Sequence, residues 1–141
     1  MENNDKVFEK ALIDLSLALS HRLEGFDFVS GHRRTNIDIE FKILHLLETY
    51  GRLTPQELMQ KLFIAKSNLS NTCKIMMQKS LIKQYADKQD RRVVCYGICA
   101  LGKEQYQNTL KDIVRNFENI VAEYDQDEAK HLVVKLISLF E

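Results

Sequence analysis

Apolar residues recur at helical spacing over most of the chain and follow a strand-like pattern in one short region. Residues 5–24 place apolar side chains every three or four positions, which predicts an amphipathic helix ending at Gly25. The same spacing predicts helices from about 37 to 50, from 100 to 124 and from the acidic break at 125–128 to the terminus. Residues 80–86 and 93–99 are instead rich in Val, Ile, Tyr and Cys, which favours two strands joined by a polar loop. The pattern predicts a mainly α fold with one small β-hairpin.

Two short helices precede the hairpin. Thr54 is a good N-cap for the first of them, and Glu57 completes a capping box. The second, within "KSNLSNTCKIMMQKSL", keeps Leu69, Cys73 and Met76 on one face while Ser, Asn and Lys cover the other. Two short helices joined by a tight break, with a hairpin after them, predict a helix-turn-helix followed by a wing.

The net charge of zero hides an uneven distribution of charge along the chain. Residues 1–50 hold six Lys/Arg and nine Asp/Glu, residues 51–92 hold nine and three, and residues 93–141 hold five and eight. No acidic residue occurs between Lys61 and Ala86. A basic middle segment between acidic flanks is typical of a DNA-contacting module carried on a body that does not touch DNA.

These motifs resemble the MarR family of bacterial transcription regulators. The family's Leu-Thr-x-x-x-Leu motif is similar to "LTPQEL" at 53–58, and its Asp-x-x-Asp-Arg-Arg wing to "DKQDRR" at 87–92; "ICALG" at 98–102 resembles the turn into its long helix. The resemblance implies a single MarR-type domain over 1–141. Residues 35–100 would form the winged helix-turn-helix, which we call the reading head, and residues 1–34 and 101–141 would form dimerisation helices.

The chain departs from the family pattern at four positions. Ser80 stands where the family usually has glycine, and Ala65 occupies a position often held by a Ser or Asp N-cap. Cys99 replaces an N-cap threonine, and Gln89 replaces a wing arginine that many members carry. The second short helix, which we call the recognition helix, is therefore expected to have a weaker N-cap. The wing is expected to depend on Arg91 and Arg92 alone.

Polar and basic residues of the reading head are the candidate DNA-binding residues. In the recognition helix, Asn side chains suit adenine edges in the major groove, and Ser or Lys side chains suit bases or phosphates. Arg91 and Arg92 are expected to reach the adjacent minor groove, with Asp90 orienting one of them. The complete predicted set is Arg52, Thr54, Gln56, Lys66, Ser67, Asn68, Ser70, Asn71, Lys74, Arg91 and Arg92.

The predicted function is DNA-binding transcription regulation in the cytoplasm, acting as a repressor. A homodimer would place one recognition helix on each half of a pseudo-palindromic operator. The resemblance implies release by a small aromatic or phenolic effector bound between the dimerisation helices and the reading head. Residues 26–34 and nearby His21 lie in the corresponding region. A winged-helix module that uses the same basic surface to bind an acidic protein is the rival from another class.

Other activities have weaker sequence support. A redox-responsive regulator would use Cys73, Cys95 or Cys99, but these three thiols form no CxxC pair. A metal-responsive regulator would use histidines, yet the four in the chain show no ligand spacing, and His45 is expected to be a satisfied core residue. No nucleophile elbow, phosphate loop or catalytic carboxylate pair is present. We therefore predict no enzymatic activity, no cofactor and no membrane partner.

Overall fold

The computed structural model describes residues 6–7, 9–10 and 35–139. Residues 6, 7, 9 and 10 are helical, as predicted, whereas the rest of that helix and the candidate effector region at 26–34 lie outside the described residues. The elements in chain order are α1 (Thr35–Tyr50), α2 (Pro55–Leu62), α3 (Lys66–Gln78), β1 (Ile82–Ala86), β2 (Val94–Ile98), α4 (Ala100–Ile120) and α5 (Gln126–Ile137). The predicted mainly α fold with a small β-hairpin is confirmed.

The helix boundaries follow from local chemistry. Thr54 Oγ1 accepts a hydrogen bond from the Glu57 backbone N–H at 3.2 Å, and Glu57 Oε2 accepts one from the Thr54 backbone N–H at 2.7 Å. This is the predicted capping box, in which two backbone donors at the helix start are satisfied reciprocally. Asp125 caps α5 in a similar way by accepting from two backbone N–H groups. Gly51, with φ of 80°, closes α1 in the left-handed conformation that glycine adopts most easily.

The core of the reading head lies where α1, α2, α3 and the hairpin meet. α1 packs against α4, α3 and β2, and α2 packs against α3. In α3 the predicted inward residues Leu69, Cys73 and Met76 are buried, and Thr72 is buried beside them. The largest fully buried side chains are Ile43, Leu44, Leu47, Leu58, Leu69, Cys73, Met76 and Leu81.

An isolated β-bridge joins the hairpin to the segment before α2. β1 and β2 pair antiparallel with Ile82 opposite Ile98, and Leu53 pairs with Tyr96 on the other edge of β2. The Leu53–Tyr96 pair exchanges two backbone hydrogen bonds of 3.1 and 2.8 Å. The base of the wing is therefore fixed directly to the segment that carries Arg52 and Thr54.

The glycine of the "ICALG" motif has a packing role. A Cβ atom at Gly102 would collide with the backbone carbonyl of Leu81 and would lie 2.9 Å from Ile98 Cγ1. Any side chain at this position would push the first turn of α4 away from the residue that leads into β1.

The structure corrects the ends of the last two helices. α4 ends at Ile120 rather than at Tyr124, because residues 121–124 form turns with a Tyr124 N–H to Val121 carbonyl bond of 2.9 Å. Asp125 must be extended to cap α5, which prevents the helix from continuing through it. α5 ends at Ile137 and is followed by a turn, instead of running to the terminus.

Apolar side chains remain exposed on the last two helices. α5 has no buried residue in the described structure. The exposed large apolar residues of α4, α5 and the flanking turns are Leu101, Val114, Tyr124, Leu132, Val133, Val134, Ile137 and Leu139. Among the described residues, no helix combines the length and the apolar character that crossing a membrane requires.

Candidate nucleic-acid interface

The recognition helix α3 separates its buried and exposed residues sharply. Leu69, Thr72, Cys73 and Met76 are buried against the core. The six predicted contact residues of this helix are all exposed: Lys66, Ser67, Asn68, Ser70, Asn71 and Lys74. The outward face thus consists of hydroxyl, amide and ammonium groups, which are the groups that hydrogen-bond base edges and phosphates.

The start of α3 is weakly capped, as predicted. Ala65 occupies the N-cap with extended backbone and provides no side-chain hydrogen bond. Asn68, in the first turn, accepts a long 3.5 Å contact from the buried Thr72 hydroxyl. The backbone N–H groups of the first turn therefore have no side-chain cap competing with an incoming anion.

The end of α3 is tied to α1 by an ion pair that the sequence did not indicate. Lys79 Nζ lies 3.0 and 3.3 Å from the two carboxylate oxygens of Glu40, a residue that is only 7% exposed. Lys79 is therefore paired within the protein, although it is half exposed and belongs to the basic segment. The pair fixes the far end of the recognition helix relative to α1.

The wing loop is held closed by three hydrogen bonds. The backbone N–H of Asp87 donates to the Val93 carbonyl at 2.9 Å, and that of Val93 donates to the Asp90 carbonyl at 3.0 Å. The Asp90 carboxylate accepts from the backbone N–H of Arg92 at 3.0 Å. This carboxylate therefore shapes the turn. That it also orients an arginine side chain stays a prediction. Arg91 and Arg92 are both exposed at the tip.

Three of the predicted contact residues lie in the connection from α1 to α2 and in the first turn of α2. Arg52 is exposed, and its guanidinium carbon lies 3.6 Å from the centre of the Tyr85 ring in β1. Gln56 is exposed in the first turn of α2. Thr54 is partly exposed and uses its side-chain oxygen as an acceptor in the capping box, so that its hydroxyl hydrogen remains able to donate.

Tyr96 links the recognition helix to the wing. Its hydroxyl lies 3.4 Å from Gln84 Nε2 on β1, and its side chain also hydrogen-bonds Cys73 on α3. Its backbone pairs with Leu53. One buried side chain therefore connects α3 with both strands of the hairpin.

An aromatic cluster joins the reading head to α4. The rings of Phe41 and Tyr106 stack with centroids 5.3 Å apart, and His45 Nδ1 lies 2.8 Å from the Tyr106 hydroxyl oxygen. Burial raises the pKa of Tyr106, with a smaller contribution from the nearby carboxylate of Glu48. The expectation that His45 is a core residue is wrong: its side chain is exposed, and it is satisfied from the rim of the cluster by Tyr106.

The sequence and fold of this region match known proteins. Residues 39–94, which run from within α1 to the start of β2, match the family model of the MarR family. Over these residues the chain is similar to the MarR family. YwaE, an HTH-type transcriptional regulator of Bacillus subtilis strain 168, is 27% identical to this chain over 92 residues. That match spans 65% of this chain and 54% of YwaE, so it covers about half of the relative's length.

Solved structures share the fold of this chain over nearly its whole length. A MarR family protein from Bacillus stearothermophilus superposes with a TM-score of 0.71 at 21% identity, covering 99% of this chain and 95% of the other. Wild-type MarR from E. coli, in its apo form, gives a TM-score of 0.70 at 18% identity, covering 94% and 96%. These likenesses establish the winged helix-turn-helix architecture.

The thiols of this protein differ in accessibility. Burial raises the pKa of Cys73 to about 11, against a smaller opposing effect of its hydrogen bond with Tyr96. Burial also raises the pKa of Cys95, and the carboxylates of Asp87 and Glu57 act in the same direction. Both thiols are therefore protonated and unreactive at neutral pH, because the thiolate is the nucleophile. Cys99 is partly exposed. The described residues contain no group of three or more His, Cys, Asp or Glu side chains suited to a metal ion.

Sequence reasoning missed the residues that hold the interface in place. Glu40 and Lys79 form an ion pair across 39 positions of the chain. The ring of Tyr85 in β1 contacts the Arg52 guanidinium. The only local signal was the alternation of Lys83 and Tyr85 in β1, which put both side chains on one face of the hairpin. That Arg52 is the partner of these side chains could not be predicted, because it depends on the pairing of Leu53 with Tyr96.

Proposed function

We propose that this protein binds duplex DNA through α3 and the wing and represses transcription as a homodimer. The observation that carries the proposal is the exposed outer face of α3, with six polar or basic side chains and no acidic residue from Lys61 to Ala86. A face of this composition suits a polyanion, and its helix has the size and position of a recognition helix.

Direct base contacts are assigned to the exposed amide and hydroxyl groups of α3. Asn68 and Asn71 can each bind an adenine edge, and Ser67 and Ser70 can donate to or accept from base edges. Backbone contacts are assigned to the basic and α2 residues. These are Arg52, Thr54, Gln56, Lys66 and Lys74, of which Thr54 and Gln56 lie at the positive end of the α2 dipole.

The wing supplies contacts in the adjacent minor groove. Arg91 and Arg92 project from a loop whose backbone is closed by hydrogen bonds of Asp87, Asp90 and Val93. These bonds hold the backbone that carries both arginines in one conformation. Narrow A·T-rich minor grooves concentrate negative potential and attract guanidinium groups. Operators of this protein are therefore expected to carry A·T-rich flanks beside the segment read by α3.

Homodimerisation is supported by the exposed apolar residues of α4 and α5. Val133 and Ile137, which share a face of α5, are each at least half exposed in the single chain. An amphipathic helix needs a partner for such a face, and a second copy would supply it symmetrically. Two reading heads related by a two-fold axis would bind a pseudo-palindromic operator, with half-sites about one helical turn apart.

Regulation by a small-molecule effector would act through the contact between α1 and α4. The Phe41–His45–Tyr106 cluster couples the reading head to the long helix, so a ligand that shifts this contact would change the spacing of the two recognition helices. Residues 26–34 and His21, the region expected to line an effector site, lie outside the described residues.

Selection from random duplex DNA with the purified protein tests this function, followed by titration of the selected sequence at several salt concentrations. Arg92→Ala is expected to weaken binding and to reduce the steepness of log K against log salt by about 0.9, the value for one lost cationic contact with the DNA charge. Arg115→Ala is the matched control, because Arg115 is an exposed arginine on α4. If the selection enriches no motif and every duplex binds with the same affinity and salt dependence, operator recognition is contradicted. Binding of an acidic protein without binding of DNA would support the rival docking module.

The oligomeric state is measured separately by sedimentation equilibrium. A dimer is expected at micromolar concentration, and Val133→Asp should shift the equilibrium toward monomer, because a carboxylate in an apolar interface has no partner. A monomeric wild-type protein that binds a single half-site would contradict the dimer.

A further inference from the structure

Arg52 is stacked on an aromatic ring of the wing. Its guanidinium carbon lies 3.6 Å from the centroid of Tyr85, well within the distance at which a cation is attracted to a ring face. Lys83 Nζ lies 6.0 Å from the same centroid, at the limit of that distance. Two cationic side chains therefore lie near the Tyr85 ring at the base of the wing, next to the start of α2.

The sheet register explains how these side chains meet. Lys83 pairs with Gly97 across the hairpin, and Leu53 pairs with Tyr96 on the opposite edge of β2. Arg52 precedes Leu53 and so lies beside Gly97 in the antiparallel arrangement. The ring of Tyr85 crosses over the glycine to reach the arginine.

Gly97 leaves the space that the stack needs. A Cβ atom at this position would lie 2.8 Å from Tyr85 Cε2 and 3.4 Å from Arg52 Cγ, so the ring would have to move. Gly97 has no positive φ, so its backbone does not require glycine. Glycine otherwise weakens a strand, which indicates that its place here is set by the close approach of these two side chains.

A stacked guanidinium remains able to bind phosphate. The ring face occupies one face of the guanidinium plane, whereas the N–H donors point outward along the edges of that plane. Stacking also restricts a long side chain that would otherwise lose its rotamer freedom only on binding. Arg52 is exposed and lies between the wing and the first turn of α2, so its free edge faces solvent beside both elements.

We propose that Tyr85 is a positioning residue that preorganises Arg52 to bind a DNA backbone phosphate between the wing and α2. The proposal rests on the DNA-binding function proposed above and adds a residue that makes no contact with DNA itself. Gly97 is the second part of the device, because it admits the ring to its place over the arginine.

A double-mutant cycle between Arg52→Ala and Tyr85→Leu tests the proposal, with affinity for the selected duplex as the readout. In the wild-type background, Tyr85→Leu is expected to weaken binding about 2- to 10-fold, the range expected from releasing one long side chain. In the Arg52→Ala background it should change affinity by less than about 1.5-fold. Tyr85→Phe keeps the ring and should restore binding, whereas Gly97→Ala displaces the ring and should mimic Tyr85→Leu.

The NMR shifts of the Arg52 side-chain protons report the stack without DNA. Upfield ring-current shifts are expected in the wild type and in Tyr85→Phe, and their loss in Tyr85→Leu and Gly97→Ala. Equal effects of Tyr85→Leu in both backgrounds, or a Tyr85→Phe variant as weak as Tyr85→Leu, would overturn the proposal even if the protein binds DNA. If the wild type binds no duplex while the ring-current shifts are present, the DNA-binding function fails and the phosphate role of Arg52 fails with it.

Discussion

Ser80 occupies a backbone conformation that favours glycine, and replacing it should stabilise the protein. Its φ is 60°, in the left-handed region, directly after the C-cap residue Lys79. The Ser80 N–H donates to the Met77 carbonyl and the Leu81 N–H to the Met76 carbonyl, both at 3.0 Å. This pair of bonds is the Schellman motif, which places the residue after the cap in the left-handed conformation.

The magnitude follows from two opposing effects on the free energy of unfolding. A residue with a Cβ atom loses about 1–2 kcal/mol in the left-handed conformation, and glycine avoids that cost. Glycine also gives the unfolded chain more conformational freedom, which costs about 0.5–1 kcal/mol. Because the Ser80 side chain is exposed, its removal leaves no cavity. We expect Ser80→Gly to raise the free energy of unfolding by about 0.5–1 kcal/mol, and the melting temperature by about 2–3 °C.

Urea unfolding followed by circular dichroism, at one fixed protein concentration, measures this change. Ser80→Ala is the matched control, because alanine also lacks the hydroxyl but retains the Cβ atom. It should be no more stable than the wild type. A Ser80→Gly protein that is no more stable than the wild type, or an alanine variant that gains as much as the glycine variant, would show that Ser80 is not strained by its positive φ.

Three further predictions concern the exposed Phe63, the ion pair of half-exposed Lys79 with buried Glu40, and the thiols. Phe63 ends α2 at φ 54° with 94% of its surface exposed, so Phe63→Asn should raise stability by up to about 1 kcal/mol in the same urea assay, and a loss would contradict this. Lys79→Met should destabilise by about 1–3 kcal/mol and by more than Glu40→Gln, because the half-exposed ammonium can be hydrated while the buried carboxylate cannot; equal losses would argue against it. At pH 8 a thiol reagent should label Cys99 in the folded protein but leave Cys73 unlabelled until urea unfolds the chain, and mass spectrometry of the digested protein shows which cysteine reacted.

The linkage for Cys73 has a definite sign. Its pKa in the folded state is raised from 9.0 to about 11, so its protonated thiol contributes stability that is fully present below about pH 9. That contribution is lost as the pH rises through about 11. In urea titrations the loss of stability between pH 9 and 11 should therefore be smaller in Cys73→Ala than in the wild type, and an unchanged pH dependence would contradict the assignment.

Much of the reading head was predictable because its signals are local. The capping box of Thr54 and Glu57, the glycine that closes α1 and the buried face of α3 depend on residues within one or two helical turns. The exposed polar face of α3 then follows from the same periodicity, since a helix that buries Leu69 and Cys73 must present its other side to solvent. The end of α4 was predicted less well, because helical spacing continues past the point where Asp125 turns outward to cap α5.

The order of elements, the basic middle segment and the candidate contact residues could be predicted from the chain alone, because periodicity, capping and charge are local properties. Which residues hold those candidate residues in position depends on the tertiary fold. Arg52 meets Tyr85 because Leu53 joins the edge of β2, and Lys79 meets Glu40 because α3 crosses α1. These pairs depend on the register of a sheet and on the packing of two helices, and neither is set by spacing within a single element.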